Sequence, residues 1–117
     1  MTAALPDLAR SEAVRAGPLE LRPAEYGVLV FGRWHHFTVR EFEILWALAR
    51  EPDKVVPRIR LYERIWGIRM RHRDRSVDAY VGKVRIKLAE AAPRWEFIHT
   101  HRGIGYRFAP VRREANG

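Results

Sequence analysis

Side chains suited to bind phosphate are concentrated in one stretch of this sequence. Residues 69–75, RMRHRDR, hold four arginines and a histidine, and the residues after them change to an apolar and polar alternation. The whole chain of 117 residues carries nineteen arginines and three lysines against fourteen acidic residues, a formal charge of +8. An arginine guanidinium presents a planar fork of donors that fits a phosphate or a guanine edge. The composition therefore predicts a polyanionic partner, with nucleic acid as the first candidate.

More cations lie on a predicted helix that starts at about Asp74 or Arg75 and ends near Glu90. Its apolar residues recur at steps of four, three and four and form one stripe facing a core, at Val77, Val81, Val84 and Leu88. The opposite side carries Arg75, Ala79, Gly82, Lys83 and Ile86, with Arg85 at its flank. A helix of this kind fits a DNA major groove, where small residues let its backbone come close. A solvated basic face is the alternative that the pattern leaves open.

A third cationic position lies at the tip of a predicted hairpin. The segment WEFIHTH alternates as a strand, RGIG forms a glycine-bearing turn, and YRFAP is typical of the returning strand. Arg102 lies in that turn. An arginine at an exposed hairpin tip can enter a DNA minor groove, where narrow A·T tracts attract cations. The helix and the hairpin together offer two anchors to one face of a duplex.

The rest of the chain supplies elements that can position these groups. Three β-prone runs, 19–22, 27–31 and 34–37, predict a small antiparallel sheet with a tight turn at residues 32–33. Thr38 and Glu41 form the pattern of a capping box that starts a first helix, and residues 51–53 end it. Pro57 precedes a short second helix that ends at Gly67. The predicted fold class is α+β: a winged helix-turn-helix with an N-terminal antiparallel sheet, a three-helix core and a C-terminal β-hairpin wing.

The same pattern predicts how the chain is divided. We expect one winged-helix domain over residues 19–109, because the length supports one domain and not two. Residues 1–18 predict a flexible N-terminal tail, and residues 110–117 a C-terminal tail.

Three segments of the sequence resemble the effector domain of the OmpR/PhoB response regulators. They are FTVREFEILWALAREPDKVVPRIRLYERIWG, RSVDAYVGKVRIKL and FIHTHRGIGYRF, and the likeness spans about residues 19–109. The resemblance implies a third helix that recognises promoter DNA and a wing in the minor groove. It also implies binding as tandem head-to-tail dimers on direct repeats.

The resemblance assigns roles to individual positions. It implies that Lys83 and Arg85 read bases, that Arg75 and Tyr80 contact the DNA backbone, and that Arg102 enters the minor groove. It further implies that the loop before the third helix, residues 67–74, contacts RNA polymerase. The contact residues expected in this basic loop are Arg69, Arg71, His72 and Arg73. Contact with DNA phosphates or with an acidic polymerase surface are both open from the sequence.

The chain also departs from the family pattern. Gly82 stands at a position where the family often has a basic or hydroxyl-bearing residue. Ile86 stands where the family typically has Lys or Arg. Ile86 fits contact with a thymine methyl or with a protein. His101 stands where valine is usual. No receiver domain precedes the match, so we expect either an isolated effector domain or a stand-alone regulator.

Several other functions are disfavoured by the residues present. With no cysteine, disulfides and thiolate metal sites are excluded. His99 and His101 share a strand face but lack further local ligands, so we expect no metal site. Asp78 is expected to pair with Arg75 and not to act as a catalytic acid. We therefore expect no enzyme, no cofactor and no small-molecule substrate.

The sequence shows neither a membrane-spanning segment nor a signal peptide, and this determines the cellular location that we expect. No apolar run is long enough to cross a membrane and no signal peptide pattern is present. We expect a cytoplasmic protein with no membrane partner.

Two alternatives to sequence-specific DNA binding stay open. The first is a winged-helix protein-interaction module that docks onto RNA polymerase or a partner regulator and binds DNA weakly. The second is non-specific DNA coating. The docking module should show only weak, salt-labile DNA affinity, and non-specific coating should show affinity without single-base penalties.

Overall fold

The computed structural model describes residues 8–114. It begins with a short 3₁₀ turn at Leu8–Arg10 and a four-stranded antiparallel sheet in chain order. The strands are β1 (Val14–Ala16), β2 (Leu19–Arg22), β3 (Gly27–Val30) and β4 (Arg33–His35). The inner faces of β2 and β3 supply Leu19, Leu21, Val28 and Val30, each at most 1% exposed. The sheet thus closes one side of the hydrophobic core.

The first strand lies inside the segment that the sequence predicts to be a tail. Val14–Ala16 pairs with β2, with Val14 opposite Leu21 and Ala16 opposite Leu19. Pairing satisfies the backbone groups along the outer edge of β2. The structured part therefore starts before residue 19. It also extends past residue 109, because β7 pairs with β6 as far as Arg112. Residues 1–7 and 115–117 of the predicted tails lie outside the described residues.

The turn between β3 and β4 lies one residue earlier than the sequence predicts. Val30 pairs with Arg33, so Phe31 and Gly32 form the two-residue loop. Both loop residues have positive φ, 52° and 77°. A two-residue loop with this handedness matches the twist of the flanking strands, but it favours Asn or Gly over a bulky residue. Phe31 thus occupies a strained position and is 63% exposed.

Three helices form the centre of the domain: α1 (Val39–Ala49), α2 (Arg58–Trp66) and α3 (Ser76–Ala91). The predicted capping box is confirmed, since the Glu41 amide donates to Thr38 Oγ1 at 3.2 Å and the Thr38 amide donates to Glu41 Oε1 at 2.8 Å. Gly67, with φ of 75°, ends α2 as predicted. The helix starts and ends follow local chemistry that the sequence shows directly.

The helix α1 is the middle layer of the core. Phe42, Ile44, Leu45 and Leu48 are completely buried although they point to different sides of the helix. α1 packs against α2, α3 and strand β7. The predicted apolar stripe of α3 is confirmed, because Val77, Val81, Val84 and Leu88 are all buried. That stripe turns the opposite side of α3 to the solvent.

A second sheet contains the wing. It has three antiparallel strands in the order β5-β7-β6, namely β5 (Val55–Pro57), β6 (Trp95–His101) and β7 (Gly105–Arg112). The sequence does not predict β5, whose three residues carry no alternation. Gly105 is required here, because a Cβ at this position would lie 2.0 Å from the Val56 carbonyl oxygen. The architecture is the predicted winged helix-turn-helix.

No helix within residues 8–114 is both long and apolar enough to cross a bilayer.

We expect Phe31→Asn to stabilise the domain. Asparagine adopts positive φ at a smaller energetic penalty than phenylalanine, a difference of about 1 kcal/mol. Thermal unfolding followed by circular dichroism should show Tm raised by roughly 4 °C. Phe31→Ala is the matched control, since it removes the ring without a side chain suited to this turn. An Asn variant no more stable than the Ala variant would contradict the assigned strain.

Candidate nucleic-acid interface

The outward side of α3 is exposed to solvent. Ala79, Lys83 and Ile86 are exposed, and the Arg75 side chain is 81% accessible. Gly82 has open space beside it, because a Cβ there would meet nothing within 4 Å. The structure thus brings the predicted helix residues to one solvent-facing surface whose backbone a ligand can approach closely.

The wing turn lies beside the beginning of α3. Arg102 and Gly103 are exposed, and Gly103 has φ of 77° as the turn requires. One open cavity of about 630 Å³ is bordered by the wing turn, the start of α3 and the preceding loop. Its lining residues are Arg58, Met70, His72, Arg73, Asp74, Arg75, Asp78 and Gly103. The three predicted cationic elements therefore border one surface.

Asp78 joins the elements that build this surface. Its Oδ1 accepts from Arg58 Nε on α2 at 2.8 Å and from the Tyr106 hydroxyl on β7. Its Oδ2 accepts from Arg75 Nη1 at 3.4 Å, which confirms the predicted internal pair. Hydrogen bonds to a charged group are stronger than those between neutral groups. One carboxylate thus fixes α2, α3 and the wing relative to one another.

The pKa of Asp78 shows which effects act on this carboxylate. Burial alone would raise its pKa, but hydrogen bonds from Tyr106 and Arg58 and the charges of Arg58 and Arg75 outweigh it and lower the pKa. The pKa of the Tyr106 hydroxyl is raised by burial and by its contact with Asp78. Asp78 is therefore ionised and Tyr106 neutral at neutral pH.

Arg85 differs from the other predicted base-reading residue because it is bound within the domain. Its Nε and Nη2 donate to the Ile98 carbonyl at 3.3 and 2.9 Å, and Nη2 also donates to Thr100 Oγ1 at 2.7 Å. Its guanidinium lies 5.5 Å from the Tyr106 ring centroid. These contacts connect α3 to strand β6, so Arg85 positions the wing in this structure.

Lys83 and Tyr80 form a pair on the side of α3 next to α2. The Lys83 Nζ lies 5.0 Å from the Tyr80 ring centroid, and that ring lies 5.9 Å from the ring of Trp66. Tyr80 is half-buried, whereas Lys83 is exposed. The aromatic contact holds Lys83 near one position and leaves its ammonium accessible to a ligand.

The loop between α2 and α3 exposes the cations that the sequence singles out. Arg69, Arg71, His72 and Arg73 are all exposed, and no ion pair among residues 8–114 includes them. The loop is closed at its end by Asp74, whose Oδ1 accepts from the Ser76 amide at 2.8 Å. This bond closes the turn that leads from the loop into α3, whose N-cap residue, Arg75, has no capping bond from its own side chain.

Arg58, Tyr106 and Ile104 contribute to this surface but were not predicted from the sequence. Arg58 contributes to the Asp78 network, and its only sequence signal is its place directly after Pro57. Ile104 is 57% exposed beside Arg102 in the wing turn. An apolar residue in a predicted exposed turn is a signal that could have identified it.

The histidines of the wing take part in strand contacts. His99 Nε2 lies 2.7 Å from the Ala109 carbonyl oxygen, and Arg107 Nε donates to His101 Nε2 at 3.1 Å. No group of three potential metal ligands occurs in the part of the chain that the structure describes. The residues there give no geometric support for a metal site.

The three helices, the wing and the exposed cationic face define a winged helix-turn-helix domain. A family model described as "Transcriptional regulatory protein, C terminal" matches residues 32–108. Response regulator MprA of Mycobacterium leprae (strain TN) is 36% identical over 100 residues, which are 86% of this chain and 43% of that protein. The chain therefore spans less than half of the length of this curated relative.

Solved structures show the same likeness. The DNA-binding domain of CpxR from E. coli matches with a TM-score of 0.78 at 27% identity. The match covers 85% of this chain and 97% of the CpxR domain. The Klebsiella pneumoniae RstA DNA-binding domain, solved in complex with the RstA box, has a TM-score of 0.76 at 29% identity, with 85% and 98% covered. The chain belongs to the family of transcriptional regulatory protein C-terminal domains, the OmpR/PhoB type.

We expect Asp78→Asn to lower the free energy of unfolding by about 2 kcal/mol at neutral pH, because it weakens hydrogen bonds to a charged group. The folded pKa lies below its ordinary value of 3.8. The stability that the carboxylate contributes is therefore present above pH 4 and is lost as the pH falls through the folded pKa.

Urea unfolding of both proteins between pH 3 and 7 measures this effect. The difference between wild type and Asp78→Asn should be constant near neutrality and shrink in acid. Glu63→Gln on the exposed side of α2 is the control and should show no such difference. A wild-type advantage that persisted unchanged at pH 3 would argue against the network.

Proposed function

We propose that this chain is a sequence-specific double-stranded DNA-binding domain of a transcriptional regulator, with α3 in the major groove and the wing in the minor groove. The observation that carries the proposal is that α3, the cationic loop and the wing turn border one open cavity. A major groove admits an α-helix. The solved RstA domain in complex with the RstA box, which shares this fold, supports the same use of the surface.

The predicted contact residues of α3 have separate roles in this proposal. Lys83, whose exposed ammonium lies over the Tyr80 ring, hydrogen-bonds a base edge or a phosphate. Arg75 and Tyr80 contact the DNA backbone near the start of the helix, while Ala79 and Gly82 allow close approach. Ile86 makes apolar contact. Arg85, which the sequence predicts to read bases, serves in the proposal to hold α3 against β6, because its Nε and Nη2 are already engaged.

The wing supplies the second contact. Arg102 inserts into a narrow minor groove, where the electrostatic potential favours a guanidinium. Ile104 lies beside it in the turn and is 57% exposed. The contact reads A·T-rich shape, since the minor groove distinguishes mainly A·T from G·C.

The cationic loop contacts DNA phosphates in this proposal. His72 and Arg73 line the same cavity as the wing turn and the start of α3. Phosphates follow the edges of the groove that α3 enters, so cations beside α3 meet them. An acidic surface of RNA polymerase is the second candidate partner. The exposed cations of the loop would pair with its carboxylates, and Ile68, which lies within the loop and is 62% accessible, would add an apolar contact.

The relatives extend the proposal beyond this domain. Several are named as response regulators, so we propose that the domain acts in a two-component phosphorelay and binds promoter DNA as tandem dimers on direct repeats. We also propose a cytoplasmic location, because that is where promoter DNA would be bound. The proposal assigns it no catalysis and no cofactor.

Selection of bound duplexes from a random DNA pool at near-physiological salt tests the central claim. The wild type should enrich a motif with penalties of about 1–3 kcal/mol per mismatched base pair. Lys83→Ala should relax one position of the motif, and Arg102→Ala should relax an A·T-rich flank. Lys54→Ala and Arg50→Ala are the matched controls, as both residues are exposed outside the surface. Enrichment of no motif would leave non-specific coating or a docking module.

The loop is tested by its effect on salt dependence. The triple variant Arg69→Ala, Arg71→Ala and Arg73→Ala should lower the slope of log K against log salt by about 1 for each phosphate that the loop neutralises. An equally charged control replaces Arg33, Arg50 and Arg94, which are exposed elsewhere. An unchanged slope in the loop variant would refute phosphate binding by the loop and favour the polymerase surface.

A further inference from the structure

We propose that the centre of the exposed α3 face recognises thymine through its methyl group, and that Ile86 is the main specificity-determining residue for it. This inference rests on the proposed function, since it names what the helix reads once it lies in a major groove. We call the three residues that carry it, Ala79, Gly82 and Ile86, the apolar strip.

The position of the apolar strip follows from helix geometry. The buried stripe is formed by residues 77, 81, 84 and 88. Arg75 and the apolar strip occupy residues 75, 79, 82 and 86, each two residues before a buried one. Two residues correspond to a rotation of about 200°, so the strip lies almost directly opposite the core. It is the part of α3 that reaches deepest into any groove that the helix enters.

The chemistry of the strip is uniform. None of its three side chains can donate or accept a hydrogen bond. Ile86 is 61% exposed and Gly82 leaves empty space one turn before it. The apolar group that a base presents in the major groove is the C5 methyl of thymine. An apolar strip at the centre of the face therefore selects thymine by contact and desolvation and not by hydrogen bonding.

The neighbouring cations leave the centre of the face to the strip. Arg85 on one flank donates to Ile98 and Thr100 of the wing sheet. Lys83 on the other flank lies over the Tyr80 ring. Ala79 and Ile86 are seven residues apart, about 10.5 Å along the helix. That span is about three base-pair steps, so the two methyl contacts fall on thymines separated by about three positions.

Replacing thymine by deoxyuridine tests the proposal, because it removes only the methyl group and keeps every hydrogen-bonding atom. On the duplex enriched from the random pool, each thymine is replaced singly and the affinity is measured. The wild type should bind about fourfold more weakly where a methyl was buried. Ile86→Ala should bind the unmodified duplex more weakly and lose the sensitivity at one thymine. Val39→Ala, at a residue that is 60% exposed on α1, is the matched control and should keep the full sensitivity.

The outcomes separate this inference from the proposed function. An enriched motif whose binding is unaffected by deoxyuridine at every position would overturn the methyl recognition and leave specific DNA binding standing. Sensitivity that Ile86→Ala retains at every thymine would overturn the role of Ile86, whose exposed side chain would then fit a protein contact. Enrichment of no motif would overturn both.

Discussion

The arrangement of the whole binding surface depends on the ionised carboxylate of Asp78. It accepts hydrogen bonds from an arginine at the start of α2, from an arginine at the start of α3 and from a tyrosine of the wing. Two guanidinium groups, from Arg58 and Arg85, also lie over the Tyr106 ring. A cationic surface of this density would repel itself if its elements were held only by loops. The half-buried carboxylate of Asp78 offsets this repulsion, because it attracts the surrounding guanidinium groups and so holds their helices in one arrangement.

A second carboxylate holds the opposite part of the domain. Glu41 is 4% exposed, closes the capping box of α1 and accepts from Lys87 Nζ at 2.6 Å. Burial would raise its pKa, but hydrogen bonds from Lys87 and Thr38 outweigh burial and lower it. Lys87 also donates to the His36 carbonyl. Near its end α3 is thus bound to α1 and to the segment between β4 and α1, while its beginning is bound to the wing. A side chain on α3 can be presented to a ligand only because the helix itself cannot rotate.

The parts of the fold that the sequence predicts correctly depend on short-range chemistry. Thr38 with Glu41, Gly67 and the valine stripe of α3 each involve residues within a few positions, whose spacing is visible in the chain. The parts it misses depend on distant partners. Strand β1 exists because β2 offers an unpaired edge, and β5 because Gly105 lets β7 approach closely. The β3–β4 turn is missed for a different reason, since it places the bulky Phe31 at positive φ, which its residue type disfavours. For the site, the exposed α3 face follows from periodicity. The engagement of Arg85 does not, because its acceptors are thirteen and fifteen residues away.

The close approach of Gly105 to the Val56 backbone has a consequence for the DNA that such a domain can accept. Strand β5 ends at Pro57, where α2 begins, so the wing and the helix-turn-helix share an uninterrupted piece of chain and one sheet. The wing therefore has no hinge of its own with respect to α3. In the proposed complex, α3 and the wing are therefore held at a fixed separation. The DNA between the two segments that they contact must then have one length. In that complex, a single base pair inserted there would move one contact out of phase by about a tenth of a helical turn, and a rigid domain would not follow it.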